Sequence, residues 1–141
     1  MKPHNVSKVG SKDTKPEIIV RKIIHSMGLR FRLHNREIFG CPDIVLKKHK
    51  TAVFVHGCFW HRHECKYGAV VPKTNTQFWS NKFDRNVKRD VEVLTQLKNE
   101  GWNVLVYWEC ETKKAELLRE KINSDFSNQR LQLTHKEYLN F

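Results

Sequence analysis

No apolar stretch in these 141 residues approaches the ~20 residues that a membrane-spanning helix needs. The amino-terminal run MKPHNVSKVGSKDTKP has no apolar segment of the kind that directs secretion. Those two absences argue against an integral membrane protein and a secreted one, so a cytoplasmic chain that avoids membranes is expected. Internal repeats and low-complexity linkers are also missing, and the length suits one domain with one core. Acidic side chains are scarce. There are 15 Asp and Glu against 26 Lys and Arg, a net charge of +11 with a pI near 9.7. That balance directs attention to polyanions. A ribosomal-type protein or a lipid-surface binder would share the charge, but neither needs the four Trp and eight Phe that accompany it.

Cysteines number four: Cys41, Cys58, Cys65 and Cys110. In a secreted chain they would pair as disulfides. Here three of them lie near histidines or at strand ends and no signal precedes them, so metal ligation in a reducing compartment is the better reading.

Residues 1–13 are polar and basic and read as a flexible arm. Thr14, Pro16 and Glu17 then form a helix start, Val20, Ile23, Ile24 and Met27 repeat at helical spacing, and Gly28 ends the segment. LRFRLH alternates like a half-buried strand, and DIVLK and TAVFVH form two more strands around a KHK turn. Periodicity is lost from 57 to 76. Phe78, Trp79, Phe83, Val87, Val91, Leu94 and Leu97 mark one face of a long helix closed by Gly101. WNVLVYW reads as a strand buried on both faces, residues 112–123 as a last amphipathic helix, and 124–141 as a polar tail. The expected order is αβββαβα, a mixed sheet flanked by helices.

The chemistry gathers around the second and third strands. Asp43 opens one and His56 closes the next, so a hairpin brings a carboxylate and an imidazole to one end of a sheet. Mg²⁺ prefers such hard oxygen donors, and a carbonyl just before His56 is a second candidate. Asp43 taken alone also suits a turn cap after Pro42. Glu17 taken alone suits the acidic position of a capping box. The decapeptide HGCFWHRHEC, residues 56–65, divides by side-chain type. Cys58, His63 and Cys65, with Cys110 from the far end of WNVLVYWEC, are candidates for a complete tetrahedral zinc set, which would have no open position and so be structural; unliganded buried thiols are the weaker alternative. His56 and His61 stay outside that set and are available for proton transfer, although either taken alone also suits a solvated histidine on a basic loop. Phe59 and Trp60 are large aromatics in a loop and suit stacking on or wedging between bases, and Trp79 is a third, although it also suits the helix core.

SKDTKPE, VRKIIHSMGLRFRLH, GCPDIVL, VFVHGCFWHRHEC, FWSNKFDRNVKRD and GWNVLVYWEC stand in an order and spacing that resemble the very short patch repair (Vsr) DNA mismatch endonucleases. The resemblance runs from about residue 7 to 120. It implies a restriction-endonuclease-like (PD-(D/E)xK) α/β fold with an αβββαβ core and a structural zinc site. It implies a Mg²⁺-dependent DNA endonuclease that nicks one strand 5′ to the thymine of a T:G mismatch, the product of 5-methylcytosine deamination, and so starts short-patch repair. Residue by residue, the resemblance makes Asp43 the direct Mg²⁺ ligand, with the backbone carbonyl of Val55. Glu17 and His56 then act through water and phosphate contacts, Asn86 lies near the metal's waters, and His61 is the general base. Cys58, His63, Cys65 and Cys110 match structural Zn²⁺ ligands, and Phe59, Trp60 and Trp79 match aromatics that enter the duplex.

In the wider fold class the third strand carries an acidic residue and a lysine. Here those positions hold Phe54 and His56, so one strand carboxylate and the helix-borne Glu17 carry the chemistry, and the set suits one Mg²⁺ or two. Cys41 has no role in this scheme. The resulting expectation is an endonuclease domain over 14–123 that acts as a monomer on double-stranded DNA, with other repair proteins as further partners. Two alternatives stand beside it: a nuclease of the same fold that cuts matched DNA, and a non-catalytic zinc-stapled DNA-binding module.

Overall fold

Thr14 begins the first helix as its position suggests, its hydroxyl accepting the Glu17 N–H at 3.4 Å, with Pro16 in the first turn. This is α1, Lys15–Ser26, and Gly28 (φ +77°) takes the left-handed conformation that ends it. The computed structural model describes the backbone of residues 12–139 and the side chains of 12–127, so the arm expected over 1–13 lies outside the described residues except for Lys12 and Asp13. The elements that follow are β1 (Arg32–Leu33), β2 (Ile44–Leu46), a 3₁₀ turn (Lys47–His49), β3 (Thr51–His56), α2 (Thr76–Asn99), β4 (Asn103–Trp108), α3 (Glu109–Thr112) and α4 (Ala115–Leu139). Gly40 matters just before β2. A Cβ there would stand 2.4 Å from Val93 Cγ1, so only glycine lets the turn leading to Asp43 pass against α2.

The sheet has the order β1-β2-β3-β4. β2 and β3 pair antiparallel, Ile44 opposite Val53, and β1 joins β2 in the same sense, Leu33 opposite Ile44. β3 and β4 run parallel, from Thr51 opposite Asn103 to His56 opposite Trp108, with α2 in the crossover. The end of β1, the start of β2 and the ends of β3 and β4 therefore meet at one edge. Alternation along the strands separates two cores. Val53, Tyr107, Ile44 and Leu46 pack with Val20, Ile23 and Ile24 of α1 and with Leu118, Ile122 and Phe126 of α4. Ala52 and Phe54 pack with Val93 and Leu97 of α2. A large side chain such as Ile24 or Phe126, buried in this way, contributes about 1.5–3 kcal/mol. The result is a four-stranded mixed sheet between helical layers.

Three expectations change. The strand WNVLVYW is an edge strand, and within it only Tyr107 is fully buried. The final helix starts at Ala115 and continues through most of the expected tail to Leu139, because Phe126 reaches the core and Asp125 accepts the Tyr107 hydroxyl at 2.8 Å. On α2, Phe78, Val87 and Val91 are exposed. The buried positions are Phe83, Val93 and Leu97, a stripe rotated from the one expected.

Candidate active site and metal centre

Strand ends deliver the site. Asp43 precedes β2, and its Oδ2 accepts the Val55 N–H at 2.7 Å across the hairpin. It is half-buried, and burial chiefly, with the nearby Glu17 charge, raises its carboxyl to about 6 despite that hydrogen bond. Glu17 does not close the capping box expected of it. Its side chain is buried, with Oε1 2.9 Å from both Arg21 Nη2 and His34 Nε2.

His56 closes β3 and is only 8% exposed. Its ring stacks face to face on His61, centroids 3.9 Å apart and 7° from parallel, and its buried Nδ1 has no hydrogen-bond partner among the described residues. Burial first, then the His61 charge, lowers its pKa to about 4, so His56 is a neutral imidazole near pH 7. His61 Nδ1 lies 2.6 Å from Asp90 Oδ2 on α2. That contact assigns the Nδ1 proton to the carboxylate side and leaves the Nε2 lone pair to accept a proton.

Asp90 was not among the residues singled out from sequence, although a signal exists. Phe83, Asn86, Asp90, Val93 and Leu97 follow a 3-4-3-4 spacing, which lays all five along one helix face. Asn86 and Asp90 are polar breaks in an otherwise buried stripe, at the end nearest the site. Asn86, expected near the metal's waters, donates through Nδ2 to the Trp60 carbonyl at 3.1 Å and so ties the HGCFWHRHEC loop to α2.

The second cluster follows from strand register. His56 and Trp108 are parallel partners, so Cys58 and Cys110, each two residues further on, arrive side by side. The Cys110 N–H donates to Cys58 Sγ at 3.4 Å, and Cys110 sits in the first turn of α3, just past the strand expected to carry it. His63 Nδ1 lies 3.7 Å from Cys58 Sγ and 3.5 Å from Cys110 Sγ, and the four ligand atoms, with Cys65, all lie within 4.8 Å of one another. Zn–S and Zn–N bonds of ordinary length predict tetrahedral S···N edges of roughly 3.6 Å, so this donor set fits Zn²⁺. Burial raises the Cys58 thiol to about 12 and moves Cys110 in the same direction. Burial acts that way on Cys65 too, but the Gly68 N–H, the His63 ring and the Tyr67 N–H outweigh it and bring that thiol to about 6. The loop folds back so tightly that a Cβ at Gly68 would stand 1.9 Å from the His63 carbonyl oxygen. Trp108 joins the two clusters, stacking on His63 with centroids 4.2 Å apart and presenting an edge to His56 at 5.1 Å.

A family model described as DNA mismatch endonuclease Vsr matches residues 2–67. A type II nicking enzyme of Neisseria meningitidis serogroup A is 47% identical over 116 residues, 82% of each chain. A type II nicking enzyme of Xanthomonas oryzae is 42% identical over 119 residues, 84% of this chain and 87% of the relative. The DNA mismatch endonuclease Vsr of Escherichia coli is 36% identical over 128 residues, 91% of this chain and 79% of the relative. The chain belongs to the Vsr family.

As a Vsr-family protein it is a DNA-nicking endonuclease, and an aromatic cluster lies close to its strand ends. Phe59 meets Trp60, Trp79 and Phe83 edge to face at 5.1, 5.6 and 5.2 Å. Trp60 and Trp79 lie 5.8 Å apart. Phe59, Trp60 and Trp79 are half-buried, so the three expected wedge residues form one aromatic cluster with a surface open to a ligand. Cations border it: Lys82 lies over Trp60 at 5.4 Å and the Arg62 guanidinium over Phe83 at 4.0 Å. Such pairs hold aromatics in place and offer charge to phosphates. No helix among the described residues of this Vsr-family chain is long and apolar enough to cross a membrane.

Proposed function

We propose that this endonuclease nicks duplex DNA 5′ to the thymine of a T:G mismatch, in a Mg²⁺-dependent reaction that begins short-patch repair of deaminated 5-methylcytosine. The restriction-endonuclease-like assignment of the core belongs to the same proposal. The observation that carries it is the His61–Asp90 pair, whose free imidazole nitrogen stands with His56 at the strand ends that hold Asp43.

The donor set beside Asp43 suits Mg²⁺. A strand residue's N–H and C=O point to the same side, so the Val55 carbonyl faces the Asp43 carboxylate that its N–H already binds. Burial and the Glu17 charge penalise the ionised Asp43 carboxyl more than the Val55 N–H and the two histidines His34 and His61 favour it, and a hard cation relieves that penalty. When bound there, Mg²⁺ polarises the scissile phosphate as a Lewis acid. His61 Nε2 takes the proton of the attacking water as the bond from phosphorus to the departing 3′ oxygen breaks and that oxygen takes a proton from solvent, and Asp90 holds the ring and stabilises the imidazolium. Neutral His56 offers a ring N–H to a phosphate oxygen. Phe59, Trp60 and Trp79 enter the stack beside the mismatch, where a T:G pair is cheaper to unstack than a matched one. Cys58, His63, Cys65 and Cys110 hold structural Zn²⁺ and clip the ends of β3 and β4 together.

Purified protein with Mg²⁺ on end-labelled duplexes carrying T:G, T:A or C:G at one position tests this. Nicking of T:G alone supports it. Equal cutting of matched duplexes replaces it with a restriction-like nuclease, and binding without cutting refutes the catalytic assignment. Trp60→Ala is expected to lower the T:G over T:A preference more than the rate of hydrolysis.

A further inference from the structure

Glu17 is 2% exposed, and a buried carboxylate needs a partner. Arg21 supplies one from the next turn of α1, where i,i+4 spacing puts it on the same face, with Nη2 2.9 Å from Glu17 Oε1. The same guanidinium also bonds the exposed Asp13 carboxylate. Among the described residues its buried Nε has no hydrogen-bond partner, a cost that the side chain accepts in this position.

The second partner comes from another element. His34 ends β1 in a left-handed conformation (φ +48°) that a non-glycine residue adopts only under constraint. Its backbone N–H donates to the Asp43 carbonyl at 3.1 Å, and its ring Nε2 lies 2.9 Å from Glu17 Oε1. One residue thus touches the backbone of the strand-borne carboxylate and the side chain of the helix-borne one. Among the described residues both side-chain contacts to the Glu17 carboxylate fall on Oε1, which leaves Oε2 outside the grip of Arg21 and His34. Asp13, Glu17 and His34 have the atom spacing of a metal site, but Arg21 Nη2 already bonds both carboxylates and lies 3.1 Å from His34 Nε2. A cation of the protein's own therefore occupies that cluster, and its function is to hold Glu17.

We propose that Arg21 and His34 are positioning residues of the nicking reaction: together they aim Glu17 at the Asp43 end of the sheet and so set the strength of divalent-cation binding there. The inference rests on the reading of Asp43 as the metal carboxylate. A purely structural ion pair would lower thermal stability when broken and leave cation affinity alone. Positioning residues around metal ligands typically change affinity or activity by roughly 10- to 100-fold.

The test compares full-length wild type with Arg21→Met, His34→Ala and His34→Gln. Three quantities are measured: single-turnover nicking of T:G duplex against Mg²⁺ concentration, Mn²⁺ affinity without DNA by the electron paramagnetic resonance signal of the free ion, and duplex affinity in Ca²⁺. Arg21→Met and His34→Ala are expected to raise half-saturating Mg²⁺ and weaken Mn²⁺ binding roughly 10- to 100-fold, with duplex affinity unchanged. His34→Gln keeps a donor toward Glu17 and is expected to recover most of the loss. A folded Arg21→Met with wild-type Mg²⁺ and Mn²⁺ dependence overturns the proposal. If Arg21→Met does not fold, equal Mn²⁺ affinity of His34→Ala and His34→Gln overturns it. If the wild type fails to nick T:G duplex, the proposed function falls and the Mn²⁺ titration alone decides: no binding by the wild type, or equal binding by the variants, overturns this inference as well.

Discussion

Asp43→Asn should make the metal-free protein more stable while abolishing nicking, and the size of the effect follows from the site. The Asp43 carboxyl rises from 3.8 to about 6 because it is half-buried with Glu17 nearby. That gap corresponds to about 3 kcal/mol of penalty on the charged folded state. The proton is held more tightly in the folded protein, so the penalty is absent below about pH 3.8, grows as pH rises toward 6 and is complete above it. Asparagine keeps the shape and still accepts the Val55 N–H, but a neutral acceptor is weaker by about 1 kcal/mol, and partial exposure screens the penalty further. The expected net gain at pH 8 is about 1–2 kcal/mol, or roughly 4–8 °C in Tm.

Thermal unfolding of zinc-loaded, magnesium-free protein between pH 4.5 and 8 measures this gain. His56 works in the opposite sense, since its lowered pKa means that stability present above pH 6.5 is lost as pH falls through about 4. That contribution is common to both proteins and cancels in their difference. The gap between variant and wild type should therefore close as pH falls from 6 toward 4.5. Added Mg²⁺ should stabilise the wild type more than the variant. A variant less stable than wild type at pH 8, or a gap independent of pH, would refute the reasoning.

Three more outcomes are expected. Phe126→Ala should cost about 3–5 kcal/mol in chemical denaturation, because Phe126 is 2% exposed in the main core; a cost under 1 kcal/mol would detach the final helix from the fold. Cys110→Ala should lose zinc by elemental analysis and lower Tm in the same preparation, and full zinc content would remove Cys110 from the ligand set. Asp90→Asn should slow single-turnover nicking by roughly 100-fold with duplex affinity retained, since the His61 ring loses the carboxylate that stabilises its charged form. An unchanged rate would make the pair structural.

Local chemistry carried much of this structure in readable form. Thr14 and Pro16 mark a helix start by groups that act within one turn, and β2 and β3 appear where apolar residues run between turn signals. The Cys58, His63, Cys65 and Cys110 cluster was legible because thiols and imidazoles are rare, and three of its members fall within eight consecutive residues, 58–65. The final helix was cut short at 123 for the same local reason: beyond it the sequence looks polar, and only packing against the sheet shows that Phe126 is a core residue.

Partners distant in sequence could not be read in the same way. Asp90 lies 29 residues from His61, and its helical spacing with Phe83, Asn86, Val93 and Leu97 marks a shared face but not the partner, which only the placing of α2 across the sheet decides. Glu17 had the spacing of a capping residue, and that local rule failed because His34, brought alongside by β1–β2 pairing, and Arg21 compete for its carboxylate. The sequence alone therefore determined the order of elements, the endonuclease family and the rare thiols and imidazoles that gather in one cluster, all of which depend on near neighbours. Tertiary structure decided which side chains hold the reactive ones, because register and helix rotation are set by burial over the whole sheet.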